Sequence, residues 1–107
     1  MRAAAVCRAA GIVCNVNGSV ETGVGNLANL HLAAAAEAAT LSCVIPVSTP
    51  AEHRGDRVAG IYYVDDLIAA PMDYADGAVR VPDGPGMGID VDEDKVAKYR
   101  TTELDHA

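Results

Sequence analysis

Residues 14–39 read CNVNGSVETGVGNLANLHLAAAAEAA, and the rest of the chain is organised around this stretch. Its start, with residues 12–16, is short, β-branched and almost uncharged, the pattern of a strand buried on both faces of a parallel sheet. A glycine-rich turn carrying one carboxylate, Glu21, follows. From about residue 26 to residue 39 the spacing predicts a helix, with Leu27, Leu30, Ala34, Ala38 and Leu41 on one stripe. The opposite face offers only Asn29, Ala33, Ala36 and Glu37. A helix with so little polar surface expects neighbours on both sides.

Upstream, residues 2–10 favour helix by their alanines and two arginines, and Gly11 is a natural stop. No capping residue precedes this helix, which suggests preceding sequence. Downstream, residues 41–47 could extend as a strand, but Pro46 limits it to an edge or a loop. Residues 48–58 are polar and turn-rich, and residues 61–64 are a short strand candidate. Residues 72–74 and 79–81 flank Ala75-Asp76-Gly77-Ala78, a hairpin signal. PDGPGMG at 82–88 is a run of turns. Asp92 can cap a last helix over residues 93–100, with acids early and Lys98 and Arg100 late. Residues 101–107 read as a loose tail.

The chain has 107 residues, enough for one ordinary domain. It has no Phe and no Trp, so Val, Leu, Ile and Ala must fill the core, and little area is buried per residue. Residues 1–50 carry two bases and two acids. Residues 51–107 carry six bases and thirteen acids, and hence the whole net charge of −7. No basic stripe exists to displace counterions from nucleic acid. No stretch qualifies as a membrane span. Cys7, Cys14 and Cys43 are odd in number and lack framework spacing, and residues 1–14 mimic an export signal only faintly. Both observations point to reduced thiols in a cytoplasmic protein.

Glu21 is the leading candidate for chemistry. It lies past a buried strand and before a helix N-terminus, where reacting groups gather in α/β proteins. A carboxylic acid there can hold or donate a proton, or polarise a bound oxygen. The plainer reading is an acid stabilised by the helix dipole. Gly23-Val24-Gly25-Asn26-Leu27-Ala28 fits the loose dinucleotide pattern GxGxxA. Against it, the turn after the strand is too long, no ribose-binding acid follows at about 20 residues, and no second βαβ unit is present. The same glycines would let a helix N-terminus approach any anion, including a substrate carboxylate. His31 reads as a packed core histidine rather than a ligand. Glu52, His53 and Asp56 read as solvated, and Arg54-Gly55-Asp56 as a chance tripeptide. Asp90, Asp92 and Asp94 alternate as in a calcium loop, but Lys95 and Thr101 stand where such a loop needs Gly and Glu.

Several stretches together carry a resemblance: RAAAVCRAAGI (2–12), IVCNVNGSVETGVGNLANLHLAAA (12–35) and YYVDDLIAAPMDYADGAVRVPDGPGMGIDVDEDKVAKYR (62–100). Within the last, PDGPGMGIDVDEDK is the most specific. The chain resembles the C-terminal end of the enolase superfamily, in its mandelate racemase/muconate lactonizing branch. The resemblance implies an α/β fold class: the C-terminal fragment of a (β/α)8-type, TIM-like barrel with a hairpin-containing return segment, incomplete as a barrel. Residues 1–47 would hold the end of barrel helix 7, strand 8 and helix 8. Residues 48–100 would be a return segment packing on a capping domain, and residues 101–107 a flexible tail.

By the same resemblance, the family binds Mg²⁺ and removes a proton α to a carboxylate to give a metal-stabilised enediolate, as racemase, epimerase, cycloisomerase or dehydratase. Glu21 matches the acid at the end of the eighth strand and would donate a proton or hydrogen bond to substrate. Asn17 and Ser19 would line the substrate pocket. The metal ligands and lysine bases have no counterpart in these residues, so the chain is expected to be inactive alone. The implied partners are a small carboxylate substrate, the rest of the barrel, its capping domain and, at full length, further copies of the same chain. The alternatives are a non-catalytic module that depends on a partner, or a relic, and then a small dinucleotide-binding protein.

Overall fold

Helix α1 (Arg2–Ala9) ends as its sequence predicts. Gly11 adopts φ +66°. Its N–H donates to the Arg8 carbonyl at 3.1 Å, and the Ile12 N–H reaches the Cys7 carbonyl at 2.8 Å. This is a Schellman stop, which satisfies the last carbonyls of the helix and turns the chain into an extended run. The computed structural model describes residues 1–19, 21–45 and 65–101. The expected strand at 61–64, the loop at 48–58 with Glu52, His53 and the tripeptide, the boundary at residue 47 and the tail after residue 101 lie outside the described residues.

Helix α2 (Gly23–Ala35) begins three residues before the expected start and stops four before the expected end. Thr22 is its N-cap, so both loop glycines belong to the first turn. Ala36 leaves helical geometry with ψ 104°, because the chain now turns back along the extended run. Cys14 forms a parallel bridge with Ala39, and Asn17 with Val44. The Cys14 N–H donates to Ala38 O at 2.8 Å, the Leu41 N–H to Cys14 O at 3.2 Å, and the Gly18 N–H to Val44 O at 2.8 Å. Residues 14–17, α2 and residues 39–44 therefore make a strand–helix–strand crossover, the basic unit of a parallel sheet. Val44, just before Pro46, is the bridged position in the segment expected as edge or loop.

The expectation of a strand buried on both faces is not met. Ile12 and Val13 are each 56 % exposed. The described residues give this run one neighbouring strand and cover neither Ile12 nor Val13. Ala34 and Leu41 of the expected stripe are also exposed; Leu41 lies beyond the helix, where the helical period no longer applies.

The core sits elsewhere. Leu27 and Leu30 of α2 pack against Ile68 and Met72 of the return segment, with Val24, Ile45, Val79, Val81 and Ile89 around them. The return segment folds on itself through an antiparallel bridge between Ile68 and Val91. It then forms the expected hairpin, β1 (Tyr74–Ala75) and β2 (Ala78–Val79), antiparallel with Tyr74 opposite Val79. The two turn residues, Asp76 at φ +53° and Gly77 at φ +79°, have the left-handed signs that a two-residue hairpin demands. Helix α3 (Glu93–Tyr99) starts as predicted, with the Asp92 carboxylate accepting the Lys95 N–H at 3.0 Å. The described residues make a small α/β fragment with a two-stranded sheet, not a closed barrel. Among them no helix is long and apolar enough to cross a membrane.

Candidate functional site

The extended run delivers Asn15, Asn17 and Ser19 to the C-terminal end of the crossover, and the turn to α2 adds Glu21. All four are exposed. Glu21 folds back over its own loop. Its carboxylate accepts a hydrogen bond from the Ser19 N–H. That bond, and then the residue's own N–H, holds the carboxyl below its usual range, against a smaller opposing effect of burial. In this arrangement the Glu21 carboxylate serves as a hydrogen-bond acceptor. Its carbonyl accepts the Asn26 carboxamide N–H at 2.7 Å, a bond from the first turn of α2 back onto the loop.

Asn17 is exposed, and its carboxamide oxygen is used within the chain. Its Oδ1 accepts the Val44 N–H at 3.0 Å and the Asn15 side-chain N–H at 3.2 Å. Ser19 is held through its backbone. The structure brings Asn17, Ser19 and Glu21 to one end of one unit, and among the described residues the Ser19 hydroxyl makes no hydrogen bond.

The glycines are needed, but by the chain's own side chains. The Gly23 N–H donates to Asp66 Oδ1 at 2.7 Å. A Cβ on Gly23 would stand 2.7 Å from Ile68 Cδ1 and 2.8 Å from Asp66 Oδ2. A Cβ on Gly25 would stand 2.8 Å from Glu21 Cβ. The first N–H of α2, read as open to any anion, is thus bound to an internal carboxylate, and the lack of a Cβ at both glycines is used by the chain's own side chains. Asp66 is the residue that the sequence did not reveal. It is buried, and its Oδ1 also accepts the Leu67 N–H at 2.7 Å. The second of two adjacent acids, ahead of an apolar residue, gives no sign of which helix end, 43 positions away, it will meet.

His31 is half-buried and hydrogen-bonded, its Nε2–H donating to the Met87 carbonyl at 3.1 Å. Cys7, Cys14 and Cys43 are free thiols. Burial first, then Cys7 and Cys43 nearby, push the Cys14 thiol up. Cys43 Sγ accepts the Val16 N–H at 3.2 Å, a structural use. Among the described residues no group of three His, Cys, Asp or Glu side chains is placed to hold a metal ion.

A profile of the family described as enolase C-terminal domain-like matches residues 1–95. Muconate cycloisomerase 1 of Rhodococcus opacus is 32 % identical over 96 residues, 89 % of this chain and 22 % of that protein. N-succinylamino acid racemase of Thermus thermophilus is 32 % identical over 90 residues, 83 % of this chain and 21 % of that protein. The crystal structure of the muconate lactonizing enzyme from Klebsiella pneumoniae superposes with a TM-score of 0.68 at 31 % identity, over 92 % of this chain and 24 % of that one. The chain thus spans between a fifth and a quarter of the length of these proteins.

Proposed function

This chain belongs to the enolase C-terminal domain-like family, and from that premise we propose that it is the C-terminal barrel portion of an enzyme acting on a small carboxylate. The shared chemistry would be a carbanion at the carbon next to the carboxylate. Racemisation, epimerisation and dehydration form it by removing the proton there, whereas cycloisomerisation of a muconate forms it by adding one carboxylate oxygen across the diene and then protonates that carbon. Muconates and N-succinylamino acids, named in the relatives, are the substrate classes to try first. The observation that supports this reading most is the placement of Asn17, Ser19 and Glu21 together at the C-terminal end of a strand–helix–strand unit. In barrels of this kind the reacting groups stand at that end.

Within the reaction, the ionised Glu21 accepts hydrogen bonds at the edge of the pocket and the Ser19 hydroxyl meets the substrate. Asn17 holds the two strands in register beneath them. Family membership suggests a divalent metal, and Mg²⁺ is the ion that the resemblance implies. The described residues do not fit a metal site, so no step of this proposal passes through one, and its ligands would come from other parts of the enzyme.

The unit also carries a surface for the rest of the barrel. The N–H groups of Cys14, Val16 and Gly18 point to residues 38–44. Those of Val13 and Asn15, alternating with them, have no partner among the described residues. A further parallel strand on that edge would pair them and cover Ile12 and Val13. The same exposed edge favours a second reading, a non-catalytic module ordered only on a partner.

One experiment separates these. The polypeptide encoded at the native locus that contains this chain is incubated in D2O with Mg²⁺ and the two substrate classes, and deuterium at the α-carbon is read by NMR. Exchange by that polypeptide, absent from residues 1–107 alone and lowered roughly 10- to 100-fold by Glu21→Ala, is expected. No exchange, with cooperative urea unfolding of residues 1–107 only when a partner is added, would establish the module instead.

A further inference from the structure

Two consecutive carboxylates of the return segment face opposite ways. Asp65 turns to α3, where it meets Lys95 Nζ at 3.0 Å, Lys98 Nζ at 3.2 Å and the Tyr99 hydroxyl at 3.0 Å. Asp66 turns to α2 and takes the Gly23 N–H at 2.7 Å. Only 6 % of Asp66 is exposed. One of its oxygens binds two amides, and the other, Oδ2, is buried without a partner among the described residues. Burying a carboxylate this way is costly unless the bonds it makes are needed.

Gly23 lies two residues from Glu21. Thr22 between them is extended, with φ −64° and ψ 172°. The Glu21 carbonyl is tied to Asn26, and its carboxylate to the Ser19 N–H. The Gly23 amide held by Asp66 is therefore joined, through the backbone of Thr22, to Glu21, whose carboxylate accepts the Ser19 N–H. The missing Cβ of Gly23 is what lets Asp66 approach.

We infer that Asp66 is a positioning residue: by holding the first amide of α2 it fixes the loop that presents Ser19 and Glu21. The inference deepens the site described under the proposed function and rests on that reading for its importance to catalysis. It assigns a task at the site to the return segment, 43 residues away, with α3 bracing it through Asp65.

The test uses the full 107-residue chain and needs no substrate, so its failure is distinct from failure of the activity assay. Amide exchange at Ser19 and Gly23 and the titration of the Glu21 carboxyl are followed by NMR. Around that carboxyl the groups to account for are the Ser19 N–H and its own N–H; among the described residues no ion pair involves it. Asp66→Ala should lose protection at both amides by at least about tenfold, and Glu21 should titrate at higher pH. Asp66→Asn keeps an acceptor for Gly23 and should restore both readouts. Met72→Ala, which loosens the same core away from Gly23, should leave the Glu21 titration unchanged. Where Asp66→Ala fails to fold, Gly23→Ala displaces the carboxylate and should give the same two changes. Parent-like Ser19 protection and Glu21 titration in a folded Asp66→Ala or Gly23→Ala chain would overturn the inference, as would an equal change in Met72→Ala.

Discussion

Asn17 and Val44 are joined twice: they bridge as neighbours in parallel strands, and the Asn17 side-chain Oδ1 accepts the Val44 N–H at 3.0 Å. A side chain here replaces a backbone carbonyl in the ladder and fixes the register at its open end. Asn17→Ala should destabilise the fold by about 1 kcal/mol and speed amide exchange at Val44 while leaving Leu27 and Leu30 protected. A substrate-binding role without this structural one would instead leave Val44 exchange unchanged.

The Asp65 cluster gives the stability a defined acid limb. Hydrogen bonds from Lys95 first, then Tyr99 and Lys98, draw the Asp65 carboxyl down to about 2. The folded value lies below the unfolded one, so the contribution is complete above the ordinary carboxylate value of about 3.9 and is lost as pH falls toward the folded value. Glu21, also lowered, adds in the same sense. Urea midpoints measured from pH 5 downward should fall through this window, and Asp65→Asn should flatten the fall. An unchanged slope in that variant would remove Asp65 as its source.

Leu27 is fully buried between α2 and the return segment. Leu27→Ala should cost about 3 kcal/mol, in the range for cavity-forming changes, and in so small a core that approaches the whole stability. The same change at Leu41, 51 % exposed, should cost little. Thermal unfolding of the two variants side by side is the check.

The acids around residue 92 differ in kind despite their regular spacing. Asp92 caps α3 through the Lys95 N–H, whereas Asp94 lies exposed in the first turn. Asp92→Ala should lower stability by about 1 kcal/mol and Asp94→Ala by at most a few tenths. Adding Ca²⁺ should alter neither, which calorimetry on the parent chain would check.

Local chemistry makes much of the fold legible in the sequence. Gly11 announced the end of α1, Asp76-Gly77 the hairpin and Asp92 the start of α3, because each depends on bonds made within a few residues. The placement of Asn17, Ser19 and Glu21 at one strand end was legible for the same reason, since a strand, a turn and a helix written consecutively put them there. The start of α2 was misjudged because Gly23 and Gly25 are poor helix formers by propensity, and their place in the helix follows from Asp66 and Glu21 packing against them.

The sequence by itself determined the family, the local elements and the candidate site residues, since short-range hydrogen bonding and side-chain periodicity are encoded in neighbouring positions. Only the tertiary structure decided that residues 39–44 return beside residues 14–17 and that the core lies between α2 and Ile68 and Met72. It also decided that the first amide of α2, that of Gly23, binds Asp66. Those contacts join positions 25 to 45 residues apart, and no local preference states which partner a buried strand, an apolar stripe or a free amide will find.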